Sequence, residues 1–497
     1  LFLYFSLNCC IGFGGLSSVP QAGNHRCDCL FLCVRESEKG VLSMNPNEPI
    51  RDARKLGTPK MLVLGLQHMF AMFGATILVP ILVQQYGLPL DIQTTLFFAG
   101  IGTLFFHVCT KFRVPAFLGS SFAFLGGFST MANLNTGIYA DMSPQDKLAY
   151  TCGGIVVAGL LYLALALVIR LVGVKKVMRF LPPVVTGPII VCIGLTLAPS
   201  AVSNASTCWP LALIALATII IFNIWGKGMF KIIPILMGVV VSYIAALIMN
   251  ACGVTVLNAA GEAIPLIDFT AVREASILGL PPFQMAKFDL TAILVMAPIA
   301  LATMMEHIGD MSAISATVGQ NFIQEPGLHR TLVGDGIATS LAGMFGGPAN
   351  TTYGENTGVL VLSKVHDPRV IRLAAVYAIV LSFIPKMADI IGSMPSAIVG
   401  GVSFILYGMI SAIGVRNIVE NNVDLTKSRN LIIAAVILVC GLGFSSGITF
   451  TVAGTSITLT GLAIAALAGI LLNAILPGND YEFGVNPEGD QNRGIHQ

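Results

Sequence analysis

The sequence predicts an all-α integral membrane protein of about fourteen transmembrane segments in two inverted repeats of seven. Two of those segments are predicted to be broken into a short strand plus a half-helix. Three observations lead there. Hydrophobic residues make up 55% of the chain and charged residues 10%, against roughly 25% charge in a soluble domain, so polar side chains cannot cover the surface. Apolar runs near the length that crosses a bilayer, about 20 residues, recur along most of the chain. Two polar, glycine-bearing stretches interrupt the pattern at corresponding places in its halves. Net charge is near zero and the basic residues form no long run, so nucleic acid is not a natural partner.

The elements follow in order. Residues 1–43 differ from the rest: the chain starts at Leu1, and Cys9, Cys10, Cys27, Cys29 and Cys33 cluster there. They read as a mis-assigned or dispensable extension before "MNPNEPIRDARKLGTPK", a polar and basic start from Met44 that leaves residues 44–59 as a cytoplasmic N-terminus. The rival reading, a signal sequence, lacks a basic n-region and a small-residue cleavage site. "CDCLFLC" has neither histidine nor a second cysteine pair to complete a metal site. Cys109, Cys152, Cys192, Cys208, Cys252 and Cys440 are scattered singly and read as small buried apolar residues.

Full-length spans are expected to begin near residues 61, 93, 150, 182, 211, 232, 290, 328, 370, 394, 430 and 456, with interrupted segments at about 115–131 and 348–363. If all cross and the N-terminus is cytoplasmic, one set of loops collects Arg51, Arg54, Lys55, Lys60, Lys111, Arg113, Arg170, Lys175, Lys176, Arg179, Lys227 and Lys231, and later Arg330, Lys364, Arg369, Arg372, Arg416, Lys427 and Arg429. The other side receives only Lys147, Arg273, Lys287 and Lys386. The positive-inside rule then places both termini in the cytoplasm.

"PAFLGSSFAFLGG" at Pro115–Gly127 and "PANTTYGENTG" at Pro348–Gly358 both open with Pro-Ala and carry small polar residues and glycine. Each is the third crossing of its half, and an odd number of crossings per repeat forces the second repeat to be inverted. Paired interrupted segments of this kind point to a transporter binding site at the bilayer midplane. Extended backbone followed by a half-helix leaves amide N–H groups that something must satisfy, and a polar substrate can do so.

Ionisable side chains within spans cost about 2.5–3.5 kcal/mol at the helix centre, so each needs a reason. Glu306 and Asp310 in "ATMMEHIGDMSA" are four apart and share one helical face. Glu355 stands near the start of a half-helix, where the dipole favours an anion. The structural alternatives are a helix end in cytoplasmic water for the first two and a helix-start carboxylate for the third. His68 in "GLQHMFAMFG", His307 and Asp335 in "VGDGIATS" read as packing residues. "GDG" follows no strand and is not a nucleotide fingerprint. No Ser-His-Asp order, zinc motif or P-loop appears, so the chain reads as no enzyme, with no cofactor and no metal.

"LQHMFAMFGATILVPIL", "PAFLGSSFAF", "EHIGD", "PGLHR", "NTTYGENTGV" and "GGVSFILYGMISAIGVRNIVENNVDLTKSRNLII" resemble the nucleobase–ascorbate transporter (nucleobase:cation symporter-2) family, and within it the bacterial uracil permeases, from about residue 60 to 476. The resemblance implies a core domain (60–180 and 289–392) that holds substrate, a gate domain (181–288 and 393–477), a tail (478–497), proton-coupled import, and a homodimer in the bacterial inner membrane. It carries substrate binding to Glu306, Glu355, Gly354, Phe122 and Ala75. Proton coupling falls to Glu306, Asp310 and Glu355, and site support to His68 and Asn350. Where the best-known uracil permease has a histidine, this chain has Asp310, which puts the proton route in question. Independently, two carboxylates suit the two ring N–H groups of a pyrimidine such as uracil. Glutamate at 355, where purine carriers of the family commonly place glutamine, favours uracil over xanthine. A xanthine or purine permease is the alternative; an anion exchanger of the same architecture would meet paired acids with no cation in either broken segment.

Overall fold

The computed structural model describes residues 49–257, 263–445, 447–452, 455–479 and 481. The extension read at residues 1–43 and nearly all of the tail lie outside the described residues.

In the first half, helix α1 (Thr58–Gln85) and α2 (Ile92–Cys109) precede strand β1 (Leu118–Ser120) and the short helix α3 (Leu125–Ala132). Helices α4 (Pro144–Val172), α5 (Pro183–Ser206), α6 (Trp209–Trp225) and α7 (Pro234–Ala251) complete it. A hairpin of β2 (Thr255–Leu257) and β3 (Ala263–Pro265) lies between the halves. The second half repeats the order: α8 (Leu290–Val318), α9 (Leu328–Met344), strand β4 (Asn350–Thr352), short helix α10 (Gly354–Ser363), then α11 (Pro368–Ser382), α12 (Ser396–Glu420) and α13 (Ser428–Gly443). Hairpin β5 (Ile448–Val452) and β6 (Thr455–Leu459) leads into α14 (Gly461–Ile475).

Local sequence sets these starts. Prolines occupy the first turns of α1, α4, α5, α6, α7 and α11, where the missing N–H costs nothing. Asp91, Ser143, Asp367 and Thr460 accept from backbone N–H groups of the helices they precede.

Among the described residues, seven helices are long and apolar enough to cross a membrane, or eight if α11 and the short helix bent 88° from it count as one span. Helices α6, α13 and α14 have 17, 16 and 15 residues. At a rise of about 1.5 Å per residue they fall short of a hydrocarbon core about 30 Å thick, so the full length expected of them is not reached by helix alone. The run expected from 456 begins as strand. "ITFTV" and "TSITL" alternate with the period of a half-buried strand, a signal that summed hydropathy does not register.

Exchanging the halves maps the packing onto itself. Helix α4 packs on α9 as α11 packs on α2, α6 on α12 as α13 on α5, α6 on α7 as α13 on α14, and α1 on α7 as α8 on α14. The pairs α2–α9 and α5–α12 map onto themselves. Equivalent strands β1 and β4 pair antiparallel, Leu118 with Thr352, Gly119 with Thr351 and Ser120 with Asn350, so the equivalent chains run in opposite senses, as inverted repeats require.

Candidate functional site

The strand pair is held from both sides by equivalent threonines. Thr103 Oγ1 on α2 accepts from Leu118 N (2.9 Å) and lies 3.2 Å from Leu118 O. Thr339 Oγ1 on α9 accepts from Asn350 N (3.2 Å) and donates to Asn350 O (3.0 Å). Each hydroxyl satisfies a strand residue whose other edge faces its partner strand, so these short strands need no wider sheet. Tyr353 locks the crossing: its N–H donates to Phe117 O (3.0 Å) and its hydroxyl to Ser120 O (2.9 Å). A Cβ on Gly119 would lie 2.4 Å from the Tyr353 ring, so only glycine lets that ring pass.

Both strands hand over to short helices. Ser121 is extended and Phe122–Phe124 forms a 3-10 turn into α3. Tyr353, also extended, precedes α10 and makes no side-chain cap. The N-terminal end of α10, with its amide groups and partial positive charge, therefore meets the cavity at Gly354.

A small cavity of about 20 Å³ lies at this junction, room for about one water. Its described lining comprises Glu306 and Asp310 from α8, Thr351, Thr352, Tyr353 and Gly354 from β4 and the start of α10, and Phe122 from the 3-10 turn. Ile190 of α5 and Ile410 and Ile413 of α12 close the other side. The four-residue spacing of Glu306 and Asp310 thus brings both acids to one cavity. Asp310 is 4% exposed and accepts from the Thr352 hydroxyl at 2.8 Å. Phe122 is buried, its ring edge-on to Tyr407 with centroids 5.9 Å apart. The side chain of Glu355 lies outside the described residues; its backbone is the second residue of α10.

Three other site candidates sit behind this cavity and not on its lining. Ala75 is fully buried in α1. His68 is buried in the same helix, and its carbonyl accepts from Asn356 Nδ2 of α10 at 3.4 Å. Asn350 directs its amide away from the cavity, donating to Phe98 O and Ala338 O, both at 3.2 Å; it fastens β4 to α2 and α9. His307 and Asp335 meet: Nδ1 lies 2.8 Å from Oδ2, both fully buried, joining α8 to α9. Sequence reasoning missed Thr351, Thr352, Tyr353 and the three isoleucines. Thr352 stood inside the quoted "ANTTYGENTG" and could have been weighed as a donor to a neighbouring acid. The isoleucines carry no local signal.

A family model described as "Permease family" matches residues 59–450. The chain belongs to the permease family. It is accordingly a multi-pass membrane transporter of a small-molecule substrate, and not an enzyme. Among its relatives, the uracil permease of Bacillus caldolyticus is 40% identical over 448 residues, covering 87% of this chain and 96% of that protein. The uracil permease of Bacillus subtilis (strain 168) is 40% identical, covering 83% and 91%. A putative pyrimidine permease of Escherichia coli (strain K12) is 37% identical, covering 88% and 93%. Two solved structures share the fold of this permease. The transmembrane domain of a cyanobacterium bicarbonate transporter aligns with a TM-score of 0.52 at 17% identity, covering 83% of this chain and 96% of that one. The murine solute carrier 26 family member A9 anion transporter aligns at 0.57 and 9%, covering 92% and 73%.

Proposed function

We propose that this permease is a proton-coupled symporter that imports a nucleobase, most specifically uracil, across the bacterial inner membrane with both termini in the cytoplasm. The observation that carries the reading is the convergence of Glu306 and Asp310 on one cavity with the amide end of α10 and the Phe122 ring. Uracil offers two ring N–H donors and two carbonyl acceptors on a flat face. Carboxylates accept from the N–H groups, amide and hydroxyl donors answer the carbonyls, and an aromatic ring covers a face. Such a site rejects an analogue that leaves a buried acceptor unpaired. Extensive similarity to uracil permeases supports the substrate class.

In this reading Glu306 and Glu355 bind the base, and Glu306 or Asp310 carries the coupled proton, since a carboxylate that takes up a proton is far cheaper to bury. The core (60–180 and 289–392) moves against the gate (181–288 and 393–477), because a 20 Å³ cavity admits a base only when its isoleucine wall withdraws. The protein works as a homodimer. An anion-carrier reading draws only on shared fold, and the described lining of the cavity holds two acids and no cation.

The test is uptake of labelled uracil into proteoliposomes with and without an inward proton gradient, with unlabelled xanthine as competitor. Gradient-driven uptake unaffected by xanthine is the expected result. Absent uracil uptake, or strong competition by xanthine, would move the substrate to purines.

A further inference from the structure

Beside the site lies a second cavity, of about 370 Å³, between α10 and α12 with walls from α1 and the α6–α7 connection. Only two described residues line both cavities, Gly354 and Ile413. Glycine has no side chain, so Ile413 supplies the one described side chain standing between them. Its Cδ1 would be 2.8 Å from a Cβ on Gly354, so the two walls already touch.

The face of α12 steps from one cavity to the other. Ile410 lines only the site, Ile413 lines both, and Arg416 lines only the larger cavity; at three-residue spacing, each step advances about 4.5 Å along the helix. Helix α10 forms the facing wall: Gly354 lines both cavities, and Gly358 lines only the larger one. Gly358 is exposed, with no atom within 4 Å of where its Cβ would stand. The larger cavity is mostly apolar, with Lys231 and Arg416 among its lining. Both cations belong to the Lys/Arg-rich set of loops, so the cavity opens toward the side the positive-inside rule makes cytoplasmic.

We infer that Ile413 is the door between the substrate cavity and a cytoplasmic exit track running between α10 and α12 past Gly358 to Arg416. The inference rests on the nucleobase reading above. Among the described residues the track offers no carboxylate and one side-chain amide, Asn223, so a base that passes Ile413 leaves Glu306 and Asp310 behind. It then holds weakly enough to leave, as any conducting path requires. Lys231 and Arg416 at the far end meet its carbonyl oxygens as it rehydrates. Ile413 is a positioning residue for passage and not an anchor for binding.

The experiment pairs equilibrium binding of labelled uracil to purified protein with initial uptake into proteoliposomes, for Ile413→Trp and Gly358→Leu. The two narrow the track from opposite walls, and Gly358 touches only the track. Both are expected to lower uptake at least about tenfold, and Gly358→Leu, which lies off the site, is expected to keep Kd within about threefold of wild type. A substrate-independent arm labels Gly358→Cys with a membrane-impermeant maleimide, using the parent protein with its native cysteines as background. Labelling is expected in inverted vesicles and not in right-side-out ones. Unchanged uptake in Gly358→Leu, or a Gly358→Cys that resists the reagent from the cytoplasmic side, would overturn the track. Wild-type uptake by Ile413→Trp would overturn the door, and loss of binding in parallel with uptake in Gly358→Leu would make the larger cavity part of the site and overturn the track. If the parent protein binds no uracil, the substrate reading fails on its own, and the labelling arm still decides the track.

Discussion

The Thr352 hydroxyl donates to Asp310 Oδ2 across 2.8 Å, tying the last residue of β4 to the acid-bearing face of α8. It fixes one carboxyl oxygen of Asp310; the other, Oδ1, lies 3.7 Å from where a Cβ on Gly354 would stand. Thr352→Val keeps the shape and removes the donor. A hydrogen bond to a charged group contributes about 1.5–3 kcal/mol, so uptake is expected to fall about tenfold or more, with Thr352→Ser restoring most of it. Wild-type transport by Thr352→Val would show that Asp310 needs no such fixing.

Asp310→Asn retains an oxygen that can accept from Thr352 and cannot exchange a proton. Binding is expected to stay within about threefold while the acceleration of uptake by an inward proton gradient is largely lost. Full gradient dependence in the variant would remove Asp310 from proton coupling and leave Glu306 as the carrier.

Gly119→Ala drives a methyl group to within 2.4 Å of the Tyr353 ring. Overpacking of this kind costs about 1–3 kcal/mol, and the strand pair would shift with the ring. A lower midpoint of thermal unfolding in detergent, with weaker uracil binding, is the expected result. An unchanged midpoint would mean that the ring can move aside freely.

The two threonine latches predict equal effects from opposite halves. Thr103→Val strips the acceptor from Leu118 N, and Thr339→Val strips it from Asn350 N. A buried N–H left unpaired costs about 1–3 kcal/mol, so both variants are expected to lower thermal stability by similar amounts. A large loss from one and none from the other would show that the internal symmetry is one of shape only.

Much of this was legible in the chain. Composition and apolar runs determined a membrane protein. The shared Pro-Ala openings at 115 and 348 and the odd number of segments per half determined a repeat in opposed senses, because those depend on order and spacing alone. The four-residue interval put Glu306 and Asp310 on one face, since helix geometry fixes that without reference to neighbours. The strands at 255–257 and 263–265 fell between expected spans and were not seen; those at 448–452 and 455–459 were missed because apolar β-branched residues satisfy a hydropathy window whether or not they are helical.

Only the tertiary structure decided what faces those acids. Ile190, Ile410 and Ile413 lie far from Glu306 in sequence, look like any lipid-facing isoleucine, and reach the cavity through the packing of α5 and α12 against the broken segments. Asn350 stands within the polar stretch yet turns toward Phe98 and Ala338, because a buried amide must find acceptors and these two carbonyls lie within its reach. A sequence fixes which residues cannot face lipid. Which of them meet at one cavity depends on contacts between segments more than a hundred residues apart, and local spacing carries no record of those.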